Sequence, residues 1–398
     1  LTKFLKKIIA IESSAGILLL LSAVFALIFQ NLSFLSGIYN WFLHLHITIG
    51  FGSVKLDEPL HFWVNDALMA IFFFLIGLEL KREMVEGQLK HFSQVFLPSF
   101  AAVGGVLFPA IIFAAINWGD PEAIRGWAIP TATDIAFAVG VLALLGRRVP
   151  SSLKIFVLTL AIMDDLCAII IIALFYSSTL NLTFLALAAL VVALLIIINR
   201  LGVSTQIPYV ILSLILWVFV LNSGIHATIA GVVAGFTIPL YTKNGSMLKD
   251  MEHALATSVN FLILPLFAFV NAGVNLHGLN ANYLLGSVPV GIFLGLFLGK
   301  QIGIFLFSYL AVKLKFAYLP EHSNWKQLYA IAIICGIGFT MSLFVDNLAY
   351  GQHSMELYHG TDKLAILFGS FVSGIVGYFV AKAVGNNKDG SPKNLIKK

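Results

Sequence analysis

The run "LAIMDDLCAII" sets two consecutive carboxylates, Asp164 and Asp165, inside a segment that is otherwise almost wholly apolar. An acid at the centre of a membrane helix costs about 2.5–3.5 kcal/mol on insertion scales, so selection for stability alone would remove it. Asp134 and Lys300 stand in apolar runs of their own and carry the same burden. Ionisable groups kept at such positions line paths for ions and protons. The opposing reading is a closed acid–lysine pair that knits helices together, but three acids against one base leave charge over. Adjacent helical residues point about 100° apart, so Asp164 and Asp165 cannot face the same way. One can face a cation while the other turns to a different helix, such as the one bearing Lys300.

The elements that must hold these groups are membrane spans. The chain has 398 residues, of which 59% are hydrophobic and 11% charged, with a mean hydropathy of +0.95; soluble domains carry about 25% charged residues. Apolar runs long enough to cross a ~30 Å hydrocarbon core recur along the whole sequence. Twelve are expected, near 10–29, 60–80, 95–116, 126–146, 155–176, 183–199, 207–221, 224–240, 254–273, 288–311, 327–349 and 364–383. Fusing 207–221 with 224–240 would make a helix about 50 Å long, too much for one crossing, and "LNSG" divides them. The basic front of the first run resembles a signal peptide, but the apolar stretch is long and lacks a small-residue cleavage site, so it reads as a retained span. Cys167 and Cys335 lie in apolar runs and suggest packing rather than a disulfide.

Charge tests the count independently, because cytoplasmic loops collect Lys and Arg. With twelve spans and the N-terminus inside, only Lys55, Arg125 and Lys363 fall outside and Lys300 falls within a span; every other basic residue lies on the inner side. Both termini are therefore expected in the cytoplasm, with a tail over 385–398. The net charge of +5 calls for no nucleic-acid partner.

Two features break the helical pattern. In "LHITIGFGSVKL" (45–56), apolar and β-branched residues alternate around Gly50-Phe51-Gly52-Ser53, which suits either a β-hairpin or an irregular stretch of the first external loop. "GWAIPTATDIAFAVG" puts Pro130 in mid-span ahead of Thr131, Ala132, Thr133 and Asp134, and "CGIGFTMSLF" puts Gly336 and Gly338 in the eleventh span near Thr340 and Ser342. Broken helices free backbone groups that a bilayer tolerates only where protein or a watery cavity satisfies them. The fourth and eleventh spans are each second in a triplet, 3–5 (about 95–176) and 10–12 (about 288–383), and the triplets start on opposite sides. That is the pattern of inverted repeats with paired broken helices at the midplane of one transporter domain, 1–398. An acid offsets an exposed helix N-terminus and a base a C-terminus, roles open to Asp134 and Lys300.

"WAIPTATDIAFAVGVLALLG", "LAIMDDLCAIIIIALFY", "NDALMAIFFFLIGLELKRE", "GIHATIAG", "LILPLFAFVNAG" and "CGIGFTMSLF" resemble signature stretches of the NhaA-type bacterial Na+/H+ antiporters, from the first span to the last. The resemblance implies an all-α polytopic protein of twelve helices in the inner membrane, with helices 4 and 11 crossed and partly unwound. It also implies a homodimer joined through a β-hairpin after helix 1, which favours that reading of 45–56. By motif match, Asp165 corresponds to the principal cation ligand, Asp164 to the second exchanging carboxylate near Lys300, and Thr133 and Asp134 to the polar groups of the broken helix. Glu79, Arg82, Glu83, Glu252 and His253 match a cytoplasmic cluster linked to pH control, and His226 a histidine associated with pH response. Some members carry a second histidine four residues after the first in the ninth span, where this chain has Thr257.

The expected activity is exchange of cytoplasmic Na+ or Li+ for external protons at one carboxylate site, without a cofactor and without enzymatic chemistry. Deprotonated Asp165, backed by Asp164 and Thr133, would bind the cation, and protonation from the other side would expel it. Burial and Lys300 act on the carboxylates in opposite senses, which tunes the site. A sodium-coupled symporter would need polar groups for an organic solute, and the spans show few. An intramembrane aspartyl protease needs its two aspartates on facing helices. Asp346 reads as an acid at a solvated span end, Asp66 as a path or interface residue, and His226 either as a packed histidine or as a direct participant.

Overall fold

In hydrocarbon every backbone polar group must be satisfied within the chain, so a sequence this apolar has helices as its main option. The computed structural model of the protein describes residues 14–51, 54–90, 92–177, 179–351 and 353–386. The basic front with Lys3, Lys6 and Lys7, the start of the first span, Gly52 and Ser53, and the tail beyond 386 lie outside the described residues.

The chain runs α1 (Ser14–Asn31), α2 (Ser33–Leu43), β1 (His46–Phe51), β2 (Val54–Pro59), α3 (Leu60–Val85) and α4 (Phe92–Ile116). A 3-10 segment, Ala123–Thr131, precedes α5 (Ile135–Leu145), followed by α6 (Ser151–Phe175), α7 (Leu182–Arg200), α8 (Ile207–Leu221) and α9 (Ile229–Thr237). Then come α10 (Met247–Asn271), α11 (Ser287–Lys313), α12 (Trp325–Ile334), α13 (Phe339–Ala349) and α14 (Thr361–Val384). Among the described residues nine helical stretches are long and apolar enough to cross a membrane, or ten if α12 and α13, bent by 47°, make one span. The other two expected spans, 207–221 and 224–240, correspond to α8 and α9, of 15 and 9 residues. Both are shorter than the roughly 17–25 residues of a full crossing.

Two compact units divide the chain: one holds Leu1–Leu27, His91–Ala168 and Ala272–Lys398, the other Ile28–Lys90 and Ile169–Asn271. Apart from 169–176, both expected repeat cores fall in the first unit. There α4 packs on α11 through small residues: a methyl on Gly104 would sit 2.3 Å from the Gly303 carbonyl oxygen, and one on Gly299 would meet the backbone of Pro109 at 2.7 Å. Such close approach is how membrane helices gain packing energy where lipid offers no hydrophobic drive.

In the second unit Leu78, Val191, Leu195, Tyr209, Leu216 and Ala234 form a shared core among α3, α7, α8 and α9. The alternation at 45–56 does make a two-stranded antiparallel sheet, pairing Ile49 with Leu56 and His46 with Pro59. The pairing runs three residues beyond the expected end, and Trp63 Nε1 lies 3.1 Å from the carbonyl oxygens of both Ile47 and Glu58, tying the sheet to α3. Between α1 and the sheet the loop carries α2, whose buried Tyr39 donates to the Phe269 carbonyl at 2.6 Å.

Candidate functional site

Pro130 lacks the N–H that a continuing helix would use and disfavours the helical region at the residue before it. The chain accordingly runs as 3-10 to Thr131, turns extended at Ala132 (ψ 155°), and restarts as α5 after Asp134. In the partner break, α12 ends at Ile334 and α13 begins at Phe339, with Gly336 and Gly338 between. The two breaks touch directly, since Asp134 N–H donates to the Ile337 carbonyl at 2.7 Å.

Each helix restart leaves N–H groups without intrahelical partners. Asp134 serves both restarts. Its Oδ1 accepts from Phe137 N–H of α5 at 2.9 Å, and its Oδ2 accepts from Thr340 N–H of α13 at 3.1 Å and from the Thr340 hydroxyl. A negative carboxylate between two helix N-termini is also favoured by both dipoles. Ser370 Oγ accepts from two further donors at this restart, Gly338 N–H at 3.2 Å and Phe339 N–H at 3.0 Å. The carbonyl ends are met by hydroxyls: Thr131 donates to Ala128 O and Ser342 to Ile129 O, both at 2.7 Å.

Lys300 follows a π-helical turn, Gly295–Gly299, in α11. Its Nζ lies 2.6 Å from Asp164 Oδ2, and neither side chain is exposed. The ammonium therefore answers Asp164, while hydroxyls take the carbonyl ends that the sequence had left to a base. Thr133 Oγ1 lies 2.7 Å from the same Asp164 oxygen and 3.0 Å from the Cys335 carbonyl, so its single proton is shared between them. Asp164 Oδ1 accepts no hydrogen bond among the described residues. Asp165 is 2% exposed, one position on and turned about 100° away. The structure thus gathers Thr133, Asp134, Asp164, Asp165 and Lys300 in one unit. Thr340 and Ser370 complete the constellation. Thr340 could be suspected from its place just past the Gly336–Gly338 break; Ser370, in a separate helix, had no such signal.

Residues 6–381 match the model of the Na+/H+ antiporter 1 family. The chain belongs to that family. It is 66% identical to the Na(+)/H(+) antiporter NhaA 1 of Campylobacter hominis over 99% of this chain and 98% of that one. It is 55% identical to the Na(+)/H(+) antiporter NhaA of Sulfurovum sp. over 96% of this chain and 97% of that one. With the same-named protein of Proteus mirabilis it shares 53% identity over 96% and 98% of the two chains. Members of the Na+/H+ antiporter 1 family are transporters rather than enzymes, and this one is a multi-pass membrane protein.

The remaining candidates lie in the second unit. Arg82 Nε donates to both oxygens of Glu252, at 2.8 and 3.0 Å, and Nη1 to Glu83 Oε1 at 2.6 Å. The i, i+3 spacing allowed Arg82 to meet Glu79, but the guanidinium instead makes charge-assisted contacts with Glu252, through one N–H shared between its two oxygens, and with Glu83. His253 is exposed. Beside this cluster Glu86 lies 2.7 Å from Lys249 Nζ and accepts from the Tyr241 hydroxyl. The Lys249 and Tyr241 hydrogen bonds hold its carboxyl below the usual range, so the contact persists at neutral pH and is lost as pH falls through that lowered value. His226 Nδ1 stands 4.0 Å from Asp66 Oδ1, a loose pairing.

Asp346 departs from the sequence reading. It is fully buried rather than solvated, because the chain past α13 folds back through His353–Tyr358 into α14, bringing the equally buried Asp362 beside it.

Proposed function

We propose that this protein exchanges cytoplasmic Na+ or Li+ for external protons, with the buried Asp164–Asp165 pair at the crossed helix breaks as the shared site. The observation that carries the proposal is that pair: two adjacent carboxylates, each 2% exposed, of which one is committed to Lys300. Deprotonated Asp165 supplies the charge for a dehydrated monovalent cation. Thr133 and Asp164 provide neighbouring oxygen atoms, and Lys300 is the counter-charge to the second carboxylate. Protonating Asp165 removes the charge that holds the ion, so cation and proton compete. Movement about the breaks, where few helical hydrogen bonds must be broken, would present the site to each side in turn. Asp134 keeps both restarts capped meanwhile.

The same reading takes α8 and α9 as the seventh and eighth of twelve spans and helices 3–5 and 10–12 as inverted repeats of one transporter domain. It places both termini in the cytoplasm and the protein in the bacterial inner membrane, working without a cofactor. Two copies join at the β1–β2 sheet, whose unpaired edge can accept a strand from a second copy. Arg82, Glu83 and Glu252, with Glu79, His253 and His226, set the pH at which exchange begins. The test is dye-reported proton release in inside-out vesicles on addition of Na+, Li+ or K+. A response to Na+ and Li+ supports the reading; silence to every cation across neutral and alkaline pH overturns it.

A further inference from the structure

We infer that Asp346 and Asp362 form a second proton-binding site, distinct from Asp164 and Asp165, in which one proton is shared between two buried carboxyls. Both side chains are 0% exposed, and their carboxyls lie within hydrogen-bonding reach of each other. Neither oxygen of Asp346 meets a hydrogen-bond donor among the described residues. Asp362, in contrast, already has one donor on each oxygen: Oδ1 takes Lys363 N–H at 2.9 Å and Oδ2 the Ser354 hydroxyl at 2.5 Å. Two carboxylates at 0% exposure cannot stay in contact with both ionised, because like charges repel strongly there and each has lost its contact with bulk solvent. One proton resolves both problems. It sits on Asp346, the member without donors, and is donated to Asp362, the member whose anion is already held by two.

Among the described residues no competing counter-charge lies within the buried pocket. From α14, Lys363 is partly exposed and acts on the pair only at a distance. From the connection between α13 and α14 come Ser354, Tyr350 and Tyr358. Tyr350 donates instead to the Ala123 carbonyl at 2.8 Å. Burial pushes the Tyr358 hydroxyl up to about 12, so it stays neutral at ordinary pH. Asp120 and Glu122, on the neighbouring turn, add further negative charge near Tyr358 rather than relieving it.

The pair has a structural consequence. Asp346 lies six residues, about 9 Å, along α13 from Thr340, whose N–H and hydroxyl are held by Asp134. The shared proton therefore clasps the far end of the same half-helix to the start of α14. Removing that proton leaves two buried negative charges in contact and drives the clasp open.

Infrared difference spectra of the purified full-length protein test this without any transport measurement, so a failure here is separable from a failure of the exchange reading. The carbonyl stretch of a protonated carboxyl, followed against pH, should lose one component in Asp346→Asn, whose amide can still donate to Asp362. Thermal unfolding of the parent should weaken as pH rises through the loss of that component, and Asp346→Asn should lose this slope. If Asp346→Asn does not fold, Ser354→Ala decides: it removes a donor from the Asp362 anion and should move the titration of the same component to higher pH. An unchanged protonated-carboxyl signal in Asp346→Asn, or an unmoved titration in Ser354→Ala, overturns the assignment.

Discussion

Replacing Lys300 with methionine keeps most of the side-chain volume and removes only the ammonium. Asp164 then keeps Thr133 as a donor on Oδ2 and has none on Oδ1. A hydrogen bond to a charged group contributes about 1.5–3 kcal/mol, which does not substitute for a full counter-charge in a site with 0% exposure. Breaking a buried pair from one side costs about 3–5 kcal/mol, and this pair, at 2.6 Å and wholly enclosed, belongs in that range. The loss should shrink at low pH, where Asp164 takes a proton and no longer needs the cation, and grow as pH rises. Adding Asp164→Leu should restore most of the stability, because packed apolar residues in place of a buried ion pair are neutral or better by about 1–4 kcal/mol. Denaturant or thermal unfolding of the detergent-solubilised protein, at fixed Na+ and several pH values, reads all three outcomes. A single variant that loses less than about 1 kcal/mol at alkaline pH, or a double variant no better than the single, would refute the reasoning.

Asp134→Ala removes caps from two helix restarts at about 1 kcal/mol each and should cost roughly 2 kcal/mol in unfolding experiments, and Asp134→Asn should not restore both caps, because its single amide oxygen serves one restart while its NH2 faces the N–H donors of the other. Asp165→Asn should fold, insert and abolish Na+-driven proton release in vesicles at every pH. Glu252→Gln or His253→Ala should shift the pH at which exchange begins and leave apparent Na+ affinity at high pH nearly intact; an unmoved pH profile would reduce the Arg82 cluster to an anchor of little energetic worth. Excising Thr48–Asp57 should convert a cross-linkable dimer to monomer while leaving the membrane helices in place, checked by cross-linking in native membranes.

Much of this arrangement is legible from residue type alone, because a charged group inside an apolar run has few reasons to exist. Asp164, Asp165, Asp134 and Lys300 could be picked out that way, and Pro130 with the Gly336–Gly338 pair marks where the two helices break. The sheet follows from the alternation at 45–56. What escaped depends on how the chain returns on itself. Asp346 looks like a span end until the fold back into α14 sets Asp362 against it, and nothing in "SLFVDNLAY" reports that return. Ser370 caps α13 from a different helix, again a tertiary fact. The partner of Lys300 was left open between Asp164 and a helix end because spacing along the sequence does not order helices in space. The π-helical turns Trp63–Leu68, Val259–Ile263 and Gly295–Gly299 were likewise unseen, since one extra residue in a turn leaves no mark on an almost uniformly apolar pattern.

The central claim, that Na+ and a proton compete for one carboxylate site, is tested most directly by calorimetric Na+ binding to the purified protein as a function of pH. Competition predicts that apparent affinity weakens by about tenfold per pH unit for each proton displaced, once pH falls below the proton affinity of the site, and that Asp165→Asn binds no Na+. Na+ binding of constant affinity across that range, or retained in Asp165→Asn, would contradict it.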